Sequence, residues 1–89
     1  MEKYHGFESW LKANNYVSWK SYLSFMRQIE HDLGGIDLEK INNSSYLKKL
    51  RMELQTKPAF MARGESDRSN ILSGFKTYID YIEQKKKDN

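Results

Sequence analysis

The sequence predicts an all-α fold, a small four-helix bundle with short extra turns in its connections. Three observations point to it. Apolar residues recur at i, i+3 and i+4 spacing in four separate segments. No segment alternates apolar and polar residues over six or more positions, as a half-buried strand does. One Pro and five Gly in 89 residues leave little of the turn chemistry that a β fold needs.

The first helix is expected over residues 2–13, where Phe7, Trp10 and Leu11 share a face. Asn14-Asn15 ends it, since asparagine prefers caps and turns to helix interiors. Ser18 is placed to cap a second helix over 18–33. Its stripe is Trp19, Tyr22, Leu23, Met26, Ile29 and Leu33. Gly34 then suits the left-handed position just past a helix end. Ile36 to Ile41 reads as a connector with one helical turn capped by Asp37. A third helix over 45–56 follows the caps in Asn42-Asn43-Ser44-Ser45, with Tyr46, Leu47, Leu50 and Leu54 inward. Pro58 stops it. A short extra helix holding Phe60 and Met61 inward fits before Gly64. The fourth helix, 66–84, opens at Ser66 or Asp67 and presents Ile71, Leu72, Phe75, Tyr78, Ile79 and Ile82. The domain is therefore 1–84, with 85–89 as a basic tail. Trp10, Tyr22, Leu23, Met26, Leu50, Phe75 and Ile79 are the residues expected to be largely buried.

A chain of this length holds one modest core, since small domains bury only about 60–65% of their unfolded surface. Six Tyr, four Phe and two Trp supply large apolar area despite 30% charged residues, which argues against disorder. The absence of Cys excludes disulfide scaffolds, zinc fingers and thiol catalysis. The longest apolar run is Ala59 to Ala62, far short of the roughly 20 residues of a membrane span. The N-terminus has no apolar stretch of signal-peptide type. The expectation is a cytoplasmic protein with no membrane partner, no cofactor and no metal.

Net charge is +3, unevenly spread. Residues 1–35 hold four basic and four acidic side chains, whereas 40–68 hold seven basic against three acidic, an excess of 7 − 3 = +4. On the second helix Lys20, Ser24, Arg27 and His31 follow i, i+4, i+7, i+11 spacing, away from the apolar stripe. Such a face suits phosphates, which Lys and Arg neutralise and Ser contacts through neutral hydrogen bonds.

Leu72-Ser73-Gly74-Phe75-Lys76-Thr77-Tyr78-Ile79-Asp80-Tyr81-Ile82 is similar to the last helix of tyrosine recombinase core-binding domains. Phe7 to Leu11 resembles that domain's opening helix, and Ser18 to Leu23 its second helix, shortened. Ile36 to Ile41 and the third helix follow the same order. The resemblance implies a SAM-like four-helix bundle that clamps duplex DNA through helices 2 and 4. By position it implies DNA contacts from Ser18 and Lys20 on helix 2, and from Arg68, Ser69, Asn70, Ser73 and Lys76 on helix 4. The recombinase catalytic residues belong to a second domain outside these 89 residues.

Catalysis is not expected from the residues themselves. His5 and His31 lack metal-spaced partners, and the adjacent His31 and Asp32 side chains are expected to diverge. Gly34-Gly35 ends a helix rather than cradling a phosphate, and Gly64-Glu65-Ser66-Asp67 is no nucleophile elbow. Tyr78 belongs to the core stripe. Trp10 and Trp19 are stacking candidates for bases, although both lie on apolar stripes. The leading expectation is a non-catalytic module with duplex DNA as partner and no small-molecule substrate. The alternative is a small phage or mobile-element module that binds or inhibits a partner protein, marked by an exposed patch around Phe60 and Met61.

Overall fold

The computed structural model describes residues 3–87. Five α-helices form the bundle: α1 (His5–Ala13), α2 (Trp19–Asp32), α3 (Ser44–Leu54), α4 (Pro58–Met61) and α5 (Glu65–Lys87). A single 3-10 turn at Leu38–Lys40 sits between α2 and α3. The described residues contain no strand, so the fold is all-α as expected.

Local chemistry explains most boundaries. α1 and α2 end alike, in a left-handed residue followed by a paired hydrogen-bond closure. At α1 the left-handed residue is Asn15 (φ 65°); its N–H donates to Lys12 O (3.2 Å) and the Tyr16 N–H to Leu11 O (3.0 Å). At α2 it is Gly34 (φ 87°), whose N–H donates to His31 O (3.1 Å) while Gly35 N–H reaches Glu30 O (2.7 Å). Asn43 caps α3 by accepting from Tyr46 N–H (3.1 Å), and Asp37 caps the 3-10 turn by accepting from Glu39 N–H (3.3 Å). Ser18 occupies the N-cap position of α2 but its hydroxyl makes no capping bond. Pro58 opens α4, where its missing N–H costs nothing. α5 has Glu65 and Asp67 in its first turn and Lys85, Lys86 and Lys87 in its last, each favourable toward the helix dipole.

Some expectations are corrected. α1 begins at His5 because Tyr4 adopts a left-handed backbone (φ 62°), which a continuous helix cannot hold; Glu2 lies outside the described residues. α5 continues through Lys85–Lys87, so those lysines are helical rather than a separate tail. Tyr46 and Met61 were expected inward but are 46% and 55% exposed. Each sits next to a residue that is buried, Leu47 or Phe60. Neighbouring helical residues point about 100° apart, and here the buried member of each pair takes the inward direction and turns the other outward. Trp10, Tyr22 and Leu23 pack against the core from its rim and are half-buried, whereas Met26, Leu50, Phe75 and Ile79 are buried as expected.

The core is built on α5, which packs against α1, α2 and α3. Phe75, Tyr78, Ile79 and Ile82 meet Phe7, Leu11, Met26, Ile29, Leu47, Leu50 and Leu54. An aromatic seam runs along one edge. Tyr78 meets Tyr4 (5.6 Å) and Phe7 (5.0 Å) edge-on, and Trp10, Tyr16, Tyr22 and Phe25 continue it in ring-to-ring contacts of 5.4 to 6.2 Å. Such pairs add about 0.5–1.5 kcal/mol each beyond area burial.

Two carboxylates of α2 are buried, and both have partners. Glu30 accepts from Lys3 Nζ (2.7 Å), Leu38 N–H (3.0 Å) and the Tyr4 hydroxyl, tying the segment before α1 to the 3-10 turn. Burial pushes the Tyr4 hydroxyl well above the ordinary phenol range, and the Glu30 hydrogen bond adds to it. Asp32 accepts two bonds from Arg63, at 2.8 and 3.0 Å. His31 Nδ1 lies 3.2 Å from Asp32 Oδ1, so these neighbours pair where divergence was expected. No buried side-chain nitrogen or oxygen among the described residues lacks a partner.

Candidate nucleic-acid interface

The candidate face is made by α2 and α5. Their close approach rests on Gly74, which lies against Phe25. A Cβ at residue 74 would stand 2.8 Å from Phe25 Cδ2 and 3.2 Å from its Cβ. Along this seam runs a groove of about 250 Å³ lined by Ser18, Ser21, Tyr22, Phe25, Asn70 and Ser73. The lining has hydroxyls, an amide and aromatic rings, but no charge.

Three of the seven residues singled out from sequence, Ser18, Asn70 and Ser73, thus come together in this groove. Lys20 does not line it. Two residues from both Ser18 and Tyr22, it sits about 160° around α2, exposed and 5.5 Å from the Trp19 ring. It shares the outward stripe of α2 with Ser24, Arg27 and His31. Lys20 and Arg27 pair with no carboxylate among the described residues, while Ser24 accepts from Gln28 (3.2 Å). On α5, Ser69 is exposed and Lys76 is exposed but paired with Asp80 (3.0 Å). Such i,i+4 pairs contribute only about 0.3–0.5 kcal/mol, so a phosphate can displace the carboxylate. Arg68 lies about 160° around α5 from Asn70. Its Nη1 donates to Met61 O (3.2 Å) and so closes the end of α4.

Much of the basic excess of residues 40–68 is paired within the protein, while Lys40 and Lys49 are exposed without a carboxylate partner among the described residues. Lys48 pairs with Glu83 (3.1 Å), Lys57 with Glu53 (3.4 Å) and Arg63 with Asp32. Arg51 Nε donates to Leu72 O (3.1 Å). The cations of α2's outer stripe, in contrast, face water. Among the described residues no helix is long and apolar enough to cross a membrane. Among the described residues no group of three His, Asp or Glu side chains is placed to hold a metal ion.

Two features of this region were not anticipated from sequence. Ser21 joins the groove, one turn after Ser18 on the same flank of α2. Gly74 acts as a spacer between helices, a role its isolated place in a helical stripe hints at. The chain has no match among protein-family models, characterised proteins or solved structures.

Proposed function

We propose that the protein is a non-catalytic module that lays the α2–α5 face against duplex DNA, as the recombinase core-binding resemblance implies for helices 2 and 4. The observation that carries this reading is the composition of that face. The groove supplies Ser18, Ser21, Asn70 and Ser73, the outward stripe of α2 on the far side of that helix supplies the exposed cations Lys20 and Arg27, and α5 supplies the exposed Lys76. Hydroxyls and an amide bond phosphate and sugar oxygens, and the cations neutralise phosphates without reading bases. Ser69 extends the polar surface. Arg68 is turned away from this face, toward the end of α4. The protein-interaction alternative called for an exposed patch at Phe60 and Met61. Phe60 is only 3% exposed, which leaves Met61 alone there and favours the DNA reading.

Fluorescence-anisotropy titration of a labelled 20-base-pair duplex tests it, with salt raised from about 50 mM. Three neutralised phosphates, at Lys20, Arg27 and Lys76, give a log–log salt slope of about −2.7. Lys20→Ala with Arg27→Ala should bring the slope to about −0.9. Lys48→Ala with Lys49→Ala on α3 should leave it unchanged. Absence of duplex binding at about 50 mM salt, or equal binding by the Lys20/Arg27 variant, rules the reading out.

A further inference from the structure

The two tryptophans are packed in opposite ways. Trp10 belongs to the aromatic seam: it stacks on Phe7 and Tyr16, contacts Tyr81 at 5.5 Å, and donates its indole N–H to Gln84 Oε1 (3.1 Å). Trp19 pairs with no ring, and its indole N–H meets no protein acceptor among the described residues. Its neighbours are ammonium groups, Lys12 Nζ at 4.2 Å and Lys20 Nζ at 5.5 Å from the ring centroid. Beside it, at the corner between α1 and α2, a cleft of about 260 Å³ is lined by Lys12, Asn15, Tyr16, Val17 and Trp19. Val17 stands at its rim, 94% exposed. Asn15 is held there by its left-handed backbone, and its side-chain amide bonds to nothing within the described residues.

From this arrangement we infer a second site, a stacking platform on which Trp19 receives an unpaired nucleobase. The choice of ligand rests on the nucleic-acid reading above, but the site is separate from the α2–α5 groove. A half-buried indole flanked by cations offers a base an aromatic plane and offers its phosphate a charge. The base takes the position now held by the Lys12 ammonium, which leaves its exposed pair with Glu8 (2.8 Å) and turns to the phosphate, with Lys20 on the neighbouring one. Asn15 supplies a donor and an acceptor for the base edge. The cleft is smaller than the roughly 300–1,000 Å³ of pockets for drug-sized ligands, which suits one planar ring system rather than an extended molecule. Stacking of this kind tolerates any base, because every base has a π-face. A bilayer is the competing partner for an exposed Val beside Trp and Lys. One valine among Asn14, Asn15 and Ser18 inserts too little apolar surface for that.

The test uses the whole chain and a labelled ten-nucleotide oligothymidylate, read by anisotropy at about 50 mM salt and by tryptophan fluorescence. The parent should bind with partial quenching, since Trp10 stays within the seam. Trp19→Ala should weaken oligothymidylate binding by about five- to 100-fold, while Trp19→Phe keeps most of it. Duplex affinity of Trp19→Ala should stay within about threefold of the parent, because duplex contacts on this face are chiefly to phosphate. Should Trp19→Ala fold poorly by circular dichroism, Val17→Glu serves instead. That side chain is outside the core, and a carboxylate there should repel the strand and weaken its binding on the order of tenfold. The inference is overturned if the oligonucleotide leaves tryptophan emission unchanged. Unaltered oligothymidylate binding by both variants overturns it, and so does an equal loss of single-strand and duplex binding. Quenching by phosphatidylserine vesicles but not by the oligonucleotide would assign the corner to membranes. Duplex binding without oligothymidylate binding removes this site alone; binding of neither removes the nucleic-acid reading as well.

Discussion

The two flanks of α5 meet their neighbours by different means. Toward α3 and α4 the contacts are charged and closed: Arg51 reaches Leu72 O, Lys48 pairs with Glu83, and Arg68 bonds Met61 O. Lys48 holds the Glu83 carboxyl below the usual carboxylate range. Toward α2 the contact is a glycine against a ring, opening into an uncharged groove. Basic residues counted along the chain are densest on the first side, yet several of them, Arg51, Arg63 and Arg68 among these, are engaged with groups of the protein itself. Charge density along the chain therefore does not tell which cations are left free at the surface. What counts is which cations find partners within the protein.

The largest effect is expected where both flanks depend on one side chain. Phe75 is fully buried on α5 between its neighbours. Phe75→Ala should cost about 3–5 kcal/mol, most of the stability of so small a domain, which lies near the low end of about 5–15 kcal/mol. A thermal melt should show the variant barely folded at 37 °C. A melt like the parent's would mean that the two flanks are held independently of the core.

Next comes the ion pair that exemplifies the closed side. Arg63→Ala leaves the fully buried Asp32 carboxylate with His31 alone, and should cost about 3 kcal/mol, the low end for a broken buried pair. The Arg63 guanidinium holds the Asp32 carboxyl below its usual value of 3.8. A depressed folded-state pKa contributes stability that is present above about pH 4 and is lost as pH falls through the folded value. Urea midpoints of the parent should therefore drop below about pH 4. In Arg63→Ala, burial without the guanidinium raises the carboxyl, so the acid-side decline tied to Asp32 should shrink or reverse. Matching pH profiles would show that the pair is not coupled to folding.

The smallest effect sharpens the open side. Gly74→Ala gains about 1 kcal/mol of helix propensity but forces Phe25 to move from a Cβ contact of 2.8 Å. Overpacking of this kind costs about 1–3 kcal/mol, so a net loss of roughly 1 kcal/mol is expected by urea titration. A gain in stability would show that Phe25 swings aside freely and that the α2–α5 spacing is soft.

Much of the architecture is legible in the sequence because its causes are local. The Gly34 turn, the Asn43 and Asp37 caps, Pro58 at the start of α4 and the α5 stripe all rest on bonds between residues a few positions apart. The candidate face was only partly legible. Ser18, Asn70 and Ser73 converge, but Arg68 turns to Met61. No sequence spacing tells whether an arginine will meet a backbone carbonyl of another helix.

By itself the sequence determined that these segments are helical, their ends to within a few residues and most of the stripe each one buries, since hydrogen bonds to i−4, caps and 3.6-residue periodicity are properties of short segments. Only the tertiary structure decided which polar groups are held inside. Glu30 meets Lys3 and Tyr4 across separations of 27 and 26 residues, and Asp32 meets Arg63 across 31. It also decided that Trp10 joins a ring seam while Trp19 is left to two lysines at the surface. The physical reason is the same in both cases. Burying a charge is favourable only when a distant element supplies its partner, and a ring joins the seam only where packing brings another ring beside it.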